Sequence, residues 1–246
     1  MMTVVKIGGH VLDDEVLLER FCRDFVALAG EVQKALGIEP QMVEGRRVTD
    51  ASTLRVVTMV YSGWCNKHLV ALLQSLGCNA IGLSGCDAGC ITAPVRPPRT
   101  LADGVTKVDY GFVGDVSPSS VDTRFLRNLL DMDLVPVLSA INHDGAGQLL
   151  NTNADTVAAS VAAALGARLV CCFEKEGVLS DVGDPSSVIP RIDSASFEQL
   201  KASGTVSAGM LPKLENAFAA LRQGVPEVIL KSAAGLLSRG GTKICL

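Results

Sequence analysis

A three-layer αβα sandwich with a mostly parallel central sheet is the α/β fold that three features of the chain predict. Short β-branched runs alternate with helical stretches along its 246 residues. The runs LVPVLS, ARLVCCF and PEVIL carry consecutive apolar residues instead of alternating apolar with polar ones, as strands buried on both faces do. The intervening stretches are long enough for the crossovers that parallel strands require.

Taken in order, VVKI at 4–7 reads as the first strand and Asp13 to Ala29 as a helix. Helical patterning returns from Asp50 to Leu76, followed by the strand NAIGL at 79–83. DYGFVGDV reads as extended, Val121 to Leu130 as helical, LVPVLS as extended and Ala154 to Leu165 as helical. ARLVCCF and the late PEVIL supply further strands. Pro97 and Pro98 bar PVRPPRTLADG at 94–104 from a central strand, so it should project as a hairpin or flap. DVGDPSS at 181–187 is a second loop, and a lobe boundary near Gly166 divides 1–166 from 167–246.

With 48% hydrophobic residues the chain can bury a substantial core. A net charge of -4 with interspersed signs gives no basic stripe for a nucleic-acid backbone, so no nucleic acid is expected as partner. No apolar run approaches the length of a membrane span, and Lys6 with the following glycines breaks any signal-peptide pattern, so the expected setting is cytoplasmic. Eight cysteines form no C-x-x-C pair and are not grouped with His10, His68 or His143 at zinc spacing. They read as free thiols in a reducing compartment, and no metal site is expected from them.

Four segments could carry chemistry. No G-x-x-x-x-G-K-[ST] or G-x-G-x-x-G loop occurs, so a phosphate site would be built from Lys6-Ile7-Gly8-Gly9, where a strand end, freed amides and a cation coincide; a tight turn beside a surface lysine is the competing reading. In VEGRRVTD, Asp50 or Thr49 can cap the next helix, whereas the Arg47 guanidinium suits bidentate capture of a carboxylate or simple solvation. LNTNADTVA opens an alanine-rich helix with polar residues at alternate positions, Asn151, Asn153 and Asp155, more than one cap requires. GMLPKLENA places Lys213 just inside a helix start, unfavourable against the dipole unless an anion is near.

KIGG, VEGRRVTD, the helix Ala51 to Leu76 with CNKH, LSGCDA, LNTNADTVA and GMLPKLENA together resemble the acetylglutamate kinase branch of the amino-acid kinase family, over nearly the whole chain. VDYGFVGDV and CFEKEGVL look most like the bacterial branch of that family associated with N-succinyl- rather than N-acetyl-glutamate. The resemblance implies transfer of the ATP γ-phosphoryl group to the side-chain carboxylate of an N-acylglutamate, in arginine biosynthesis. It implies that Lys6 and Lys213 stabilise the phosphoryl charge and that Asp155 holds both lysines. Arg47, Asn151 and Asn153 would grip the amino-acid substrate. Gly8, Gly9, Glu174, Lys175, Gly177, Val178, Ser207, Gly209 and Met210 would border the nucleotide, with Mg2+ bound through the phosphates. It further implies an N-terminal substrate lobe, a C-terminal nucleotide lobe and a homodimer formed through residues 50–76.

One departure stands out. After its first helix the family has a second strand and a His-Gly-Gly-Gly loop, whereas here FCRDFVALAG runs directly into EVQKALGIEP. The sheet is therefore expected to lack one N-lobe strand. An active kinase and an impaired relative that only binds substrate both remain open on this ground, while the pairing of VEGRRVTD with LNTNADT argues against a carbamate or aspartate kinase.

Overall fold

The computed structural model describes residues 2–7, 28–39, 41–43, 46–101, 103–206, 209–233, 236 and 240–246. The chain divides into two compact units, one made of Met1–Asp24 with Ala158–Leu246 and the other of Phe25–Val157.

In chain order, β1 (Thr3–Ile7) and helical residues 28–35 (α1) precede a short hairpin of β2 (Met42–Val43) and β3 (Arg46–Arg47). Then come α2 (Ala51–Val57), a π-helical stretch (Thr58–Cys65), α3 (Asn66–Ser75) and β4 (Ala80–Leu83). A hairpin of β5 (Arg99–Thr100) and β6 (Lys107–Val108) is followed by α4 (Thr123–Asp131), β7 (Val135–Leu138), and a hairpin of β8 (Ile141–His143) and β9 (Leu149–Asn151). The remainder is α5 (Ala154–Leu165), β10 (Arg168–Phe173), β11 (Arg191–Ile192), α6 (Ser194–Ala202), α7 (Leu211–Arg222), β12 (Val228–Ser232) and β13 (Thr242–Ile244).

The first unit is built on a five-stranded sheet ordered β1-β10-β12-β13-β11. β1, β10 and β12 run parallel, β12 and β13 antiparallel, and β13 and β11 parallel. The apolar run RLVCCF is buried on both faces as its composition requires. α7 seals the sheet through Leu214, Ala217 and Phe218, and Phe218 stacks on Phe197 of α6 with centroids 5.1 Å apart. α6 starts at a capping box in which Asp193 accepts from the Ser196 amide at 2.9 Å, and that bond lowers the Asp193 carboxyl pKa.

The second unit holds β4 and β7 as a parallel pair beside three antiparallel hairpins. Asp50 caps α2 by accepting from the Thr53 amide at 2.7 Å. The single helix expected over Asp50 to Leu76 is interrupted: Thr58–Cys65 winds as a π-helix. Its flank Val56-Val57-Thr58 is β-branched and Gly63 lies within it, which lowers α-helical propensity there.

Further differences from the sequence reading are local. DYGFVGDV forms isolated bridges at Gly111, Val113 and Gly114 instead of a continuous strand, because Gly111 has a φ of +70° that breaks the pleat. Of the helix expected over Asp13 to Ala29, only residues 28 and 29 are described, and both are helical. The flap expected at 94–104 contains β5, which turns back into β6.

Among the described residues β1 lies at one end of the five-stranded sheet, and β4 pairs with β7 alone. Val5 and Ile7 on β1 are 38% and 36% exposed, unusual for apolar residues of a parallel strand.

Candidate functional site

Each unit carries one group of the expected residues. In the first unit the register places Lys6 opposite Cys171 on β10, and side chains alternate along strands, so Lys6, Cys171 and Phe173 share one sheet face. Helix α7 brings Lys213 to the same face, with its ammonium 4.8 Å from the Phe173 ring centre. Lys213 also lies 3.7 Å from a Glu174 carboxylate oxygen, which supplies the anion that a cation near a helix start needs. Two expected cations thus stand on one face near the carboxyl ends of parallel strands, where α/β proteins bind ligands.

The turn after β10 is fixed from both sides. Ser232 Oγ donates to Glu176 Oε1 at 2.8 Å, and the Val178 amide donates to Thr242 Oγ1 at 2.8 Å. Gly177 has no room for a side chain: a Cβ would come within 2.6 Å of Val188 and 2.9 Å of Thr242. Glu174 is exposed, Lys175 half-buried and Val178 buried. Gly209 and Met210 lead into α7, with the Met210 carbonyl accepting from the Leu214 amide at 3.1 Å. Gly8, Gly9 and Ser207 lie outside the described residues.

Sequence reasoning missed Lys231. On β12 it pairs in register with Cys172 of β10, is only 4% exposed, and donates to the Leu236 carbonyl at 3.3 Å. A lysine inside the apolar run VILKS was the available signal. Burial pushes the Cys172 thiol pKa up, while the nearby charges of Lys231 and Lys6 pull it down.

In the second unit, Arg47 on β3 donates through Nη1 to Gln33 Oε1, and Gln33 Nε2 donates to Thr53 Oγ1 at 3.1 Å. Gln33, fully buried, is a second residue that the sequence did not reveal. Tyr61 lies near Arg47: burial raises its phenol pKa and the guanidinium charge partly offsets that rise.

Two residues beyond Arg47, the chain is stitched to the other half of this group. Thr49 donates its amide to the Tyr110 carbonyl at 2.9 Å and accepts the Phe112 amide at 2.8 Å. Its Oγ1 accepts from Asn151 Nδ2 at 3.1 Å, and the Asn151 amide donates to the Phe112 carbonyl at 2.9 Å. Gly111 allows this approach, since a Cβ there would stand 2.3 Å from the Thr49 carbonyl oxygen. Thr49 and Asn151 are therefore held in one hydrogen-bonded frame, two residues along the chain from Arg47.

Asn153 caps α5, accepting from the Asp155 and Thr156 amides at 2.9 and 3.0 Å. That cap engages its Oδ1, and the residue is exposed. Asp155, half-buried, occupies the first turn of α5, where a carboxylate complements the dipole. A cleft of about 440 Å³, lined by Val95, Arg96, Pro97, Pro98, Gly111 and Phe112 among others, borders the same frame. Its guanidinium is occupied, since Arg96 Nε donates to Asp115 at 2.9 Å. Among the described residues no group of three His, Cys, Asp or Glu side chains could hold a metal ion, and no helix is long and apolar enough to cross a membrane.

The profile of the amino acid kinase family matches residues 1–232. The chain is 46% identical to the acetylglutamate kinase of Bacteroides thetaiotaomicron, over 99% of this chain and 98% of that one. With the acetylglutamate kinase of Methanopyrus kandleri the identity is 42%, over 98% of this chain and 99% of the other. The aligned stretch with the Bacteroides enzyme, 260 positions, is longer than the 246-residue chain, so that enzyme carries residues with no counterpart here.

In fold, the chain is similar to a Neisseria gonorrhoeae N-acetylglutamate synthase solved with coenzyme A and N-acetyl-glutamate, with a TM-score of 0.73 at 23% identity over all of this chain and 59% of that one. It is also similar to smu.665 from Streptococcus mutans, with a TM-score of 0.70 at 22% identity, covering 99% and 97%. Both likenesses concern the α/β fold with its mostly parallel sheet flanked by helices. The chain belongs to the amino acid kinase family, in its acetylglutamate kinase branch.

Proposed function

We propose that the chain transfers the γ-phosphoryl group of ATP to the side-chain carboxylate of N-acetyl-L-glutamate, or of N-succinyl-L-glutamate, forming an acyl phosphate in arginine biosynthesis. The observation that carries this reading is the 46% identity to an acetylglutamate kinase over 99% of the chain. The setting of Lys6, Lys213, Arg47 and Asn151 supports it.

The chemistry asks little beyond alignment and charge. A glutamate side chain, with a reference pKa of about 4.3, is already ionised at neutral pH, so no general base is required. Two mutually repelling anions must be held in line while cations follow the charge through the transition state. Lys6 and Lys213 take that task as compact point charges, and Asp155 takes the orienting role that the family resemblance implies.

Arg47 and the amides of Asn151 and Asn153 grip the amino-acid end of the substrate. The cleft beside Gly111 and Phe112 offers space for the acyl group. Gly8, Gly9, Glu174, Lys175, Gly177, Val178, Ser207, Gly209 and Met210 border the nucleotide. Mg2+, bound with the nucleotide through its phosphates, would supply further charge neutralisation beside Lys6 and Lys213. Residues 1–166 then serve the substrate and 167–246 the nucleotide, in a cytoplasmic homodimer formed through residues 50–76.

ADP release that depends on either acylglutamate tests the proposal, and its absence with both would leave only the fold assignment. A second reading, a catalytically impaired relative that binds substrate, is favoured by the residues of the Bacteroides enzyme without counterpart here and by the end position of β1 among the described strands. A lost glycine loop would remove amide donors whose individual loss elsewhere costs roughly 100-fold or more in rate. Calorimetric binding without turnover would distinguish this case.

A further inference from the structure

We infer that Gln33 is a positioning residue for substrate binding, holding the Arg47 guanidinium in the orientation that captures the substrate carboxylate. The inference rests on the proposed role of Arg47.

The atoms of the Gln33 amide are assigned by their neighbours. Arg47 can only donate, so the group facing its Nη1 is the Gln33 oxygen, and Nε2 is left to donate to Thr53 Oγ1 at 3.1 Å. Gln33 is fully buried, so an unmet donor or acceptor there would be costly; both ends of its amide are engaged. Thr53 is in turn tied to Asp50 through its own amide at 2.7 Å. The guanidinium is thereby referred to the first turn of α2, a rigid element, and not to solvent.

The choice of a neutral amide has chemical consequences. A guanidinium carries five donors, and the bond from Nη1 anchors one end of it with the donors of Nε and Nη2 not spent on Gln33 and suited to bidentate capture of a carboxylate. Glutamine orients the cation without neutralising it. A glutamate at position 33 would also accept from Nη1, but its charge would compete with the substrate carboxylate for Arg47.

Isothermal titration calorimetry of the full chain with N-acetylglutamate tests this without requiring turnover. Gln33→Met keeps the side-chain volume and deletes the acceptor, together with the donor to Thr53; it should weaken the Kd about 10-fold, the scale of one hydrogen bond to a charged group, and lower the unfolding midpoint, with the protein still folded and its nucleotide Kd retained. Gln33→Glu keeps volume and acceptor, so it should fold as well as the parent yet also bind N-acetylglutamate about 10-fold more weakly. Arg47→Met should abolish binding. Unchanged affinity in a folded Gln33→Met or Gln33→Glu protein, with binding lost in Arg47→Met, would overturn the inference alone. Unchanged affinity in Arg47→Met, or no binding by the parent, would overturn the reading beneath it.

Discussion

The ammonium group of Lys213 stands 4.8 Å over the ring of Phe173, which shares a sheet face with Lys6. Lys213 also meets Glu174 at 3.7 Å, and both partners are about half exposed, with side-chain accessibilities of 40% and 48%. Such an ion pair contributes at most about 1 kcal/mol. Lys213→Met should therefore leave the denaturation midpoint nearly unchanged while lowering acylglutamate-dependent ADP release by about 100-fold or more. Urea denaturation and a coupled ADP assay on the same sample check both halves.

Gly111 is a backbone constraint with a functional reach. At its φ of +70° and with the Thr49 carbonyl 2.3 Å from a would-be Cβ, Gly111→Ala must displace Thr49 and with it the bonds to Asn151 and Phe112. The expected cost is about 1–3 kcal/mol of stability, accompanied by weaker N-acetylglutamate binding. Denaturant titration and calorimetry measure the two effects.

Cys90 should report the integrity of the second unit's core. Fully buried, its thiol is pushed from an ordinary value of 9.0 up to about 11, first by burial and then by the charge of Asp87. The folded protein thus holds this proton more tightly than the unfolded chain. The resulting stabilisation is complete below pH 9 and is lost as pH rises toward about 11. Iodoacetamide should leave Cys90 unmodified in the native protein at pH 8, as peptide mass spectrometry would record, and the unfolding free energy should fall between pH 9 and 11.

The π-helical stretch presents Trp64 at 62% and Met59 at 51% exposure, large apolar residues on the segment proposed for dimerisation. Trp64→Glu should convert a dimer to a monomer in sedimentation equilibrium at micromolar concentration. Trp64 is the chain's single tryptophan, so its emission should shift to the blue as the parent dimerises. A parent protein that sediments as a monomer contradicts the proposed interface.

Much of the fold was legible because burial leaves a simple trace. ARLVCCF and PEVIL announced β10 and the start of β12 by their consecutive apolar residues, and the alanine-rich stretch after Asn153 announced α5. DYGFVGDV deceived because its apolar residues serve isolated bridges around a glycine turn, a tertiary arrangement with no local period. The site was legible where a residue type is odd for its local element, as Lys213 is at a helix start. Gln33 was not, since its partner lies 14 positions away and a glutamine in an amphipathic helix ordinarily faces water. Lys231 carried a visible signal, a cation in an apolar strand, whose meaning depended on the register that seats it beside Cys172.

The most direct measurement is the initial rate of ADP release at saturating MgATP, with and without N-acetyl- or N-succinyl-glutamate, for the parent chain and Lys213→Met. Phosphoryl transfer to an acylglutamate predicts ADP formation that requires one of these substrates and falls about 100-fold in the variant. Release that is the same with and without acylglutamate, or none with either, would contradict it.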